Sequence, residues 1–195
     1  MMKLVLATQN AGKIKELQEL LGSQFEVCGL PDYLMQTDIP ETCSTLEGNA
    51  LEKAQYVFDR IGGVVVADDT GLEVRCLNGR PGVLSARYAG PAKDEEANMA
   101  KLLKELGGTE DRHARFRTAM TLVSNDHTFT VEGIAAGVIA EAASGEGGFG
   151  YDPVFIPSGS IKTFAEMSAR EKNAISHRGK AVQKLVERIR EVFPE

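Results

Sequence analysis

The sequence predicts an α/β protein built on a mixed β-sheet flanked by helices. Three observations carry the prediction. In the N-terminal half, short apolar runs ending in polar turns alternate with stretches of helical periodicity. In the second half, two strand-like stretches flank Asn125-Asp126 and read as an antiparallel hairpin. The chain has 195 residues, 43% hydrophobic and 26% charged, enough to bury a substantial core in one domain spanning residues 1–195. Alternation followed by a hairpin mixes parallel and antiparallel strands, and two lobes with a cleft between them are expected.

Each element has its own signal. Lys3–Ala7 reads as a buried strand, and Ile14, Leu17, Leu20 and Leu21 form one apolar face of the helix that follows. Ser44-Thr45-Leu46-Glu47 has the spacing of a capping box and opens a second helix. Leu46, Ala50, Ala54, Val57, Phe58 and Ile61 keep helical spacing along it until Gly62-Gly63 stops it. Val64–Ala67 is a further buried strand that runs into Asp68-Asp69-Thr70-Gly71. A third helix starts at Asp94 and turns Met99, Leu102, Leu103 and Leu106 inward before Gly107-Gly108. Arg115–Val123 alternates as a strand, and Thr128–Ile139 returns beside it. Gly and Pro residues from Gly145 to Gly159 mark a long shaped loop. The last helix runs from about Ser176 to Val192, with Val182, Leu185, Val186 and Ile189 facing in.

Composition narrows the function. A net charge of −6 argues against a protein that coats a nucleic acid polymer, but leaves room for a local cationic pocket. Cys28, Cys43 and Cys76 are odd in number and lack CxxC spacing, so neither a disulfide framework nor a zinc site is indicated. No run approaches transmembrane length, and the opening residues are too short for a signal segment. A soluble, reduced, cytoplasmic protein is expected.

Five stretches offer chemistry. Thr8-Gln9-Asn10-Ala11-Gly12-Lys13 sits at a strand-to-helix turn, where backbone N–H groups, the helix dipole and Lys13 favour an anion. It lacks the opening Gly and the closing Ser or Thr of a P-loop, and it also reads as a plain helix start with a solvated lysine. Asp68-Asp69 ends a Val-rich strand. If the strand continues, the pair points to opposite faces, and a divalent cation is the natural compensation for their charge. A polar turn capped by Asp69 is the alternative. Glu41, just before the second helix, could add a hard oxygen ligand, and Lys53, four residues after Asn49, a phosphate contact; alone, both read as surface charges.

The fourth stretch, Gly145–Gly150, fits GxGxxG, yet Tyr151-Asp152-Pro153 follows and blocks entry to a helix, which rejects a dinucleotide fold. Phe149 suits a flat stacking surface for a base. In the fifth, Lys172, His177 and Arg178 gather cationic or donor groups at the start of the last helix, with donors suited to carbonyl oxygens.

Taken in order, "ATQNAGK", "ETCSTLEGNALEKA", "ADDTGLEV", "PGVLSARYAG", "GGFGYDPVF" and "EKNAISHRG" resemble the inosine triphosphate pyrophosphatase-like family. These enzymes are non-standard purine nucleoside triphosphate pyrophosphatases, and the likeness spans Lys3 to about Arg190. It implies an elongated mixed α/β fold with the active site in a cleft between two lobes. It also implies a homodimer that converts XTP, ITP and dITP to the monophosphate and pyrophosphate with Mg2+. By resemblance, Glu41 and Asp69 hold the metal, and Asp69 orients or deprotonates the attacking water. Thr8, Gln9, Asn10, Ala11, Gly12, Lys13, Lys53, Thr70 and Lys172 attend the phosphates. Phe149, Gly150, Tyr151, Asp152, His177 and Arg178 form the base pocket. Gln9 stands where a small residue is common. Rival readings are a nucleotide-binding sensor module that never turns over and a phosphoryl-aspartate phosphatase with Asp as nucleophile.

Overall fold

The computed structural model describes residues 2–33 and 39–194. In chain order it contains β1 (Met2–Leu6), α1 (Ala11–Leu21), β2 (Phe25–Gly29), α2 (Leu46–Ile61), β3 (Val64–Val74) and β4 (Pro81–Gly82). There follow α3 (Glu95–Glu105), β5 (His113–Val123), β6 (Thr128–Ile139), β7 (Phe155–Pro157), α4 (Ala169–Ile175) and α5 (His177–Val192). The strands form one sheet in the order β2-β1-β3-β5-β6-β7, with β4 added to β3. β1 pairs in parallel with β2 and β3, whereas β3–β4 and β6–β7 are antiparallel. The sheet is mixed, as the sequence predicts.

The chain divides into two compact units. The first holds the residues up to Asp69, Ala119–Glu132 and the chain from Ala181 onward. Leu4–Leu6 of β1 and Val64–Ala67 of β3 are buried on both faces, which explains why these stretches read as unbroken apolar runs. Leu4 and Leu6 of β1 and Val64 and Val66 of β3 pack with Leu17 and Leu21 of α1 and with Val182, Leu185 and Ile189 of α5. Val5, Val65 and Ala67, one residue out of phase, pack instead with Ala54 and Val57 of α2. Among the described residues, no helix is long and apolar enough to cross a membrane.

The second unit comprises Thr70–Thr118 and Gly133–Lys180. Leu72 and Val74 of β3 join Leu102 and Leu106 from the α3 region and the aromatic residues Phe116, Phe155 and Phe164 in its core. Phe116 meets Phe155 edge-on, with ring centroids 4.7 Å apart.

Several expectations need correction. Leu20 is 43% exposed, because α1 buries Leu17 and Leu21 and leaves Leu20 at the rim of the stripe. The cap of α2 is Thr45, whose side chain accepts the Gly48 N–H, not the Ser44–Glu47 box. β3 does not stop at Ala67 but runs through the aspartates to Val74, where β4 pairs with Leu72 and Glu73. The Gly145–Gly159 stretch is not wholly loop, since β7 lies within it and pairs with β6. β2 and α4 have no counterpart in the sequence reading: both are short, at five and seven residues.

Candidate active site

In the first unit, the alternation of β3 decides where the aspartates go. Asp68 follows the face of Val64 and Val66 toward α1, and its Oδ2 accepts from the Lys13 ammonium at 2.7 Å. Asp69 follows the face of Val65 and Ala67 toward α2. There its Oδ2 accepts from Asn49 Nδ2 at 2.9 Å, and its Oδ1 lies 3.5 Å from Lys53 Nζ. The polar-turn reading of this stretch is therefore set aside.

Lys53 is 8% exposed and also donates to Glu41 Oε1 at 2.6 Å. Burial pulls its ammonium pKa down, but Asp69, Glu41 and Asp68 outweigh that and the net shift is upward. Burial pushes the Asp69 carboxyl up, and Glu41 adds to the push against the opposing pull of Lys53 and Asn49. Three carboxylates (Glu41, Asp68, Asp69) here pair with two ammonium groups (Lys13, Lys53).

Among the described residues, no group of three or more His, Cys, Asp or Glu side chains is arranged to hold a metal. Glu41 and Asp69 nevertheless converge on one point, the Lys53 ammonium. A cation held by these two carboxylates would draw its other ligands from phosphate oxygens and water, which is how Mg2+ is commonly bound. The two carboxylates fit that ion as hard oxygen ligands.

The turn before α1 differs from expectation in one respect. Asn10 caps the helix, its Oδ1 accepting from the Gly12 and Lys13 amides at 2.9 and 3.2 Å. Those two amides are already engaged, so an anion arriving here must compete with the cap. Asn10 N donates to Thr8 Oγ1, while Gln9 and Ala11 are exposed.

In the second unit, Thr70, Phe116, Phe149, Gly150, Tyr151, Asp152 and His177 line a cavity of about 310 Å³, within the range of small-molecule sites. Asp152, 2% exposed, organises one wall. Its Oδ2 accepts the Phe149 amide at 2.8 Å and the Lys172 ammonium. Lys172 Nζ in turn stands 4.5 Å from the centre of the Phe149 ring. A second carboxylate, Glu95 at the start of α3, accepts the Gly150 amide at 2.7 Å.

Tyr151 donates its hydroxyl to the Ser85 carbonyl at 2.9 Å, and burial pushes its pKa well above the ordinary value, so it stays a neutral donor. His177 is 5% exposed and stacks on Phe116, with centroids 4.5 Å apart and an interplanar angle of 15°. Thr70 pairs with Thr118 through their hydroxyls at 2.8 Å. Arg178 is half-buried and does not line the cavity.

A larger concavity of about 460 Å³ is lined by Glu73, Arg75, His113 and Arg115. Its charges are matched internally, Arg115 with Glu73 and Arg75 with Asp111, which leaves it less suited to an anion. Sequence reasoning does not single out Asn49 as a site residue; its four-residue spacing from Lys53 is the signal that could have found it. For Phe116, Ser85 and Glu95 there is no comparable signal.

Fold and side chains together define an α/β protein that carries a cluster of carboxylates and ammonium groups in one unit and an aromatic-walled cavity in the other. The model of the Ham1 family matches residues 4–188. The chain is 50% identical over 186 residues to the dITP/XTP pyrophosphatase of Flavobacterium johnsoniae, covering 95% of this chain and 97% of that protein. To the dITP/XTP pyrophosphatase of Bacillus subtilis it is 47% identical, covering 95% and 96%. The solved structure of the Staphylococcus aureus Ham1 protein superposes with a TM-score of 0.93 at 40% identity, over 97% of this chain and 99% of that one. The chain belongs to the Ham1 family.

Proposed function

We propose that this chain is a nucleoside triphosphate pyrophosphohydrolase that converts XTP, ITP and dITP to the monophosphate and pyrophosphate, clearing non-standard purines from the nucleotide pool. The relatives' names support the substrate class. One observation carries the chemistry: two carboxylates, Glu41 and Asp69, converge on a single buried ammonium.

Each constellation has its part. Lys13 and Lys53 compensate the charge of the triphosphate, helped by the polar turn Thr8–Lys13. Asp69, its basicity raised by burial and Glu41, orients or deprotonates the water that cleaves the α–β anhydride. Phe149 stacks on the purine, and Tyr151, Asp152, His177 and Arg178 shape the base pocket. Glu41 and Asp69 would hold Mg2+, which when bound polarises phosphate oxygens and acidifies water. Residues 1–195 work as one functional domain, in a cytoplasmic homodimer that acts on free nucleotides and not on nucleic acid.

A panel of nucleoside triphosphates, assayed separately for pyrophosphate and orthophosphate with Mg2+ or with chelator, tests this. Pyrophosphate and monophosphate from XTP, ITP and dITP are expected, with little from ATP and none under chelator. Orthophosphate release, or binding without turnover, would overturn it.

A further inference from the structure

Asn49 is 1% exposed in α2, and both ends of its carboxamide are engaged. Its Nδ2 donates to Asp69 Oδ2 at 2.9 Å. Its Oδ1 accepts the backbone N–H of Cys43, also at 2.9 Å. A second tie fixes the same segment, since Glu52 accepts from both the Thr42 amide (2.7 Å) and the Thr42 hydroxyl (2.6 Å). Residues 41–43 are thereby laced along α2, and Glu41, the first of them, reaches Lys53. The close approach depends on Gly48: a Cβ there would stand 2.7 Å from Cys43 Cβ and 3.1 Å from its Sγ.

We propose that Asn49 is a positioning residue that sets the placement of Asp69 relative to Glu41, acting on one directly and on the other through the Cys43 amide. This rests on the reading of Glu41 and Asp69 as the carboxylates that serve the phosphates. A carboxamide suits the task because it donates at one end and accepts at the other without adding charge. The orientation is unambiguous. Reversed, it would aim its carbonyl at a carboxylate and its NH2 at an N–H, two repulsive contacts in place of two hydrogen bonds.

Two variants approach the buckle from opposite sides. Asn49→Ala removes both hydrogen bonds. Gly48→Ala leaves Asn49 in place but presses on Cys43 and, at 3.0 Å, on the capping Thr45 Oγ1, so it pushes residues 41–43 off the helix, while Ala itself favours helix over Gly. Loss of such supporting groups typically costs about 10–100-fold in activity.

The experiment measures kcat and KM for pyrophosphate release from ITP in the wild type and both variants. Hydrogen exchange of the Cys43 amide by NMR and thermal unfolding are followed alongside. The expected result is two folded variants whose kcat falls about 10–100-fold at nearly constant KM, with the Cys43 amide losing its protection. Folded variants with wild-type kcat, or a Cys43 amide still protected in Asn49→Ala, would overturn the assignment. If Asn49→Ala does not fold, Gly48→Ala decides. A wild-type chain that releases no pyrophosphate would sink the functional reading itself, whereas an active wild type with unaffected variants sinks the positioning role alone.

Discussion

Asp68 and Asp69 are adjacent in β3, yet their carboxylates bond to different helices: Asp68 to Lys13 of α1 at 2.7 Å, Asp69 to Asn49 of α2 at 2.9 Å. The two-residue period of a strand is the cause, and it divides the pair into unequal roles. Asp69 shares a buried ammonium with Glu41. Asp68 accepts from the Lys13 ammonium instead.

On the proposed roles, Asp69→Asn should fold and lose roughly 10²–10⁴ in kcat, because it removes the carboxylate assigned both to the metal and to the attacking water. Asp68→Asn should cost less, since Lys13 keeps its charge after its partner is neutralised. Steady-state kinetics on ITP at saturating Mg2+ compare the two. Equal losses, or a larger one for Asp68→Asn, would refute this division.

Lys13→Ala and Lys53→Ala should each remove roughly 1–3 kcal/mol of transition-state stabilisation. Their effects on the fold should differ. Lys53 is 8% exposed and lies between Glu41 and Asp69, whose side chains are 32% and 13% exposed, so its loss takes an ammonium from two partly buried carboxylates and destabilises the chain by about 1–3 kcal/mol. Lys13 serves one carboxylate, Asp68, whose side chain is 6% exposed, so its removal should also destabilise the chain, but by less than that of Lys53, which serves two. Urea unfolding of both variants beside their kcat/KM separates the two effects; equal destabilisation would contradict the burial argument.

Acid stability offers a check on residues outside the charged cluster. Burial alone would raise the Glu73 carboxyl, but hydrogen bonds from Arg117 (2.8 Å) and Arg115 (2.7 Å) hold it below its ordinary value of 4.5. A carboxyl depressed in the folded state stabilises fully above its unfolded pKa, and that stability is lost as pH falls through the folded pKa. Glu73→Gln should therefore lower Tm at neutral pH and flatten its decline below about pH 4.5. The two Tm curves should converge at the acid end; parallel curves would show that the ion pairs contribute nothing.

Much of this was legible from residues alone, for reasons that can be stated. A strand buried on both faces shows as an apolar run, which is why β1 and the start of β3 stand out while β2, with Glu26 and Cys28 interleaved, does not. The continuation of β3 past Ala67 was hidden because aspartates normally end strands. Here Lys13, Asn49 and Lys53 supply the partners that let them stay. Such partners come from distant helices, so no local pattern reports them. Lys172 shows the same limit. Its charge is plain in the sequence, but its pairing with Asp152 and its place over Phe149 depend on how α4 packs against the glycine-rich loop.

That loop supplies the last prediction. Gly148 has φ of +74°, and a Cβ there would stand 2.2 Å from Asp152 Oδ2. Glycine is thus required twice, once for the left-handed backbone and once for the approach of the carboxylate. Gly148→Ala must push the loop away from Asp152, breaking the bond from the Phe149 amide and moving the ring against which Lys172 rests. A hydrogen bond to a carboxylate contributes about 1.5 kcal/mol or more, so KM for ITP should rise about tenfold. The left-handed strain should cost a further 1–2 kcal/mol or so of stability. Because Asp69 and Lys53 are untouched, kcat should stay near the wild-type value, in contrast to the Asp69 variant. On the proposed base pocket, the ITP-to-ATP ratio of kcat/KM should narrow, since Phe149 would no longer hold the purine in register. An unchanged KM together with an unchanged ratio would mean that the base is not recognised at this wall.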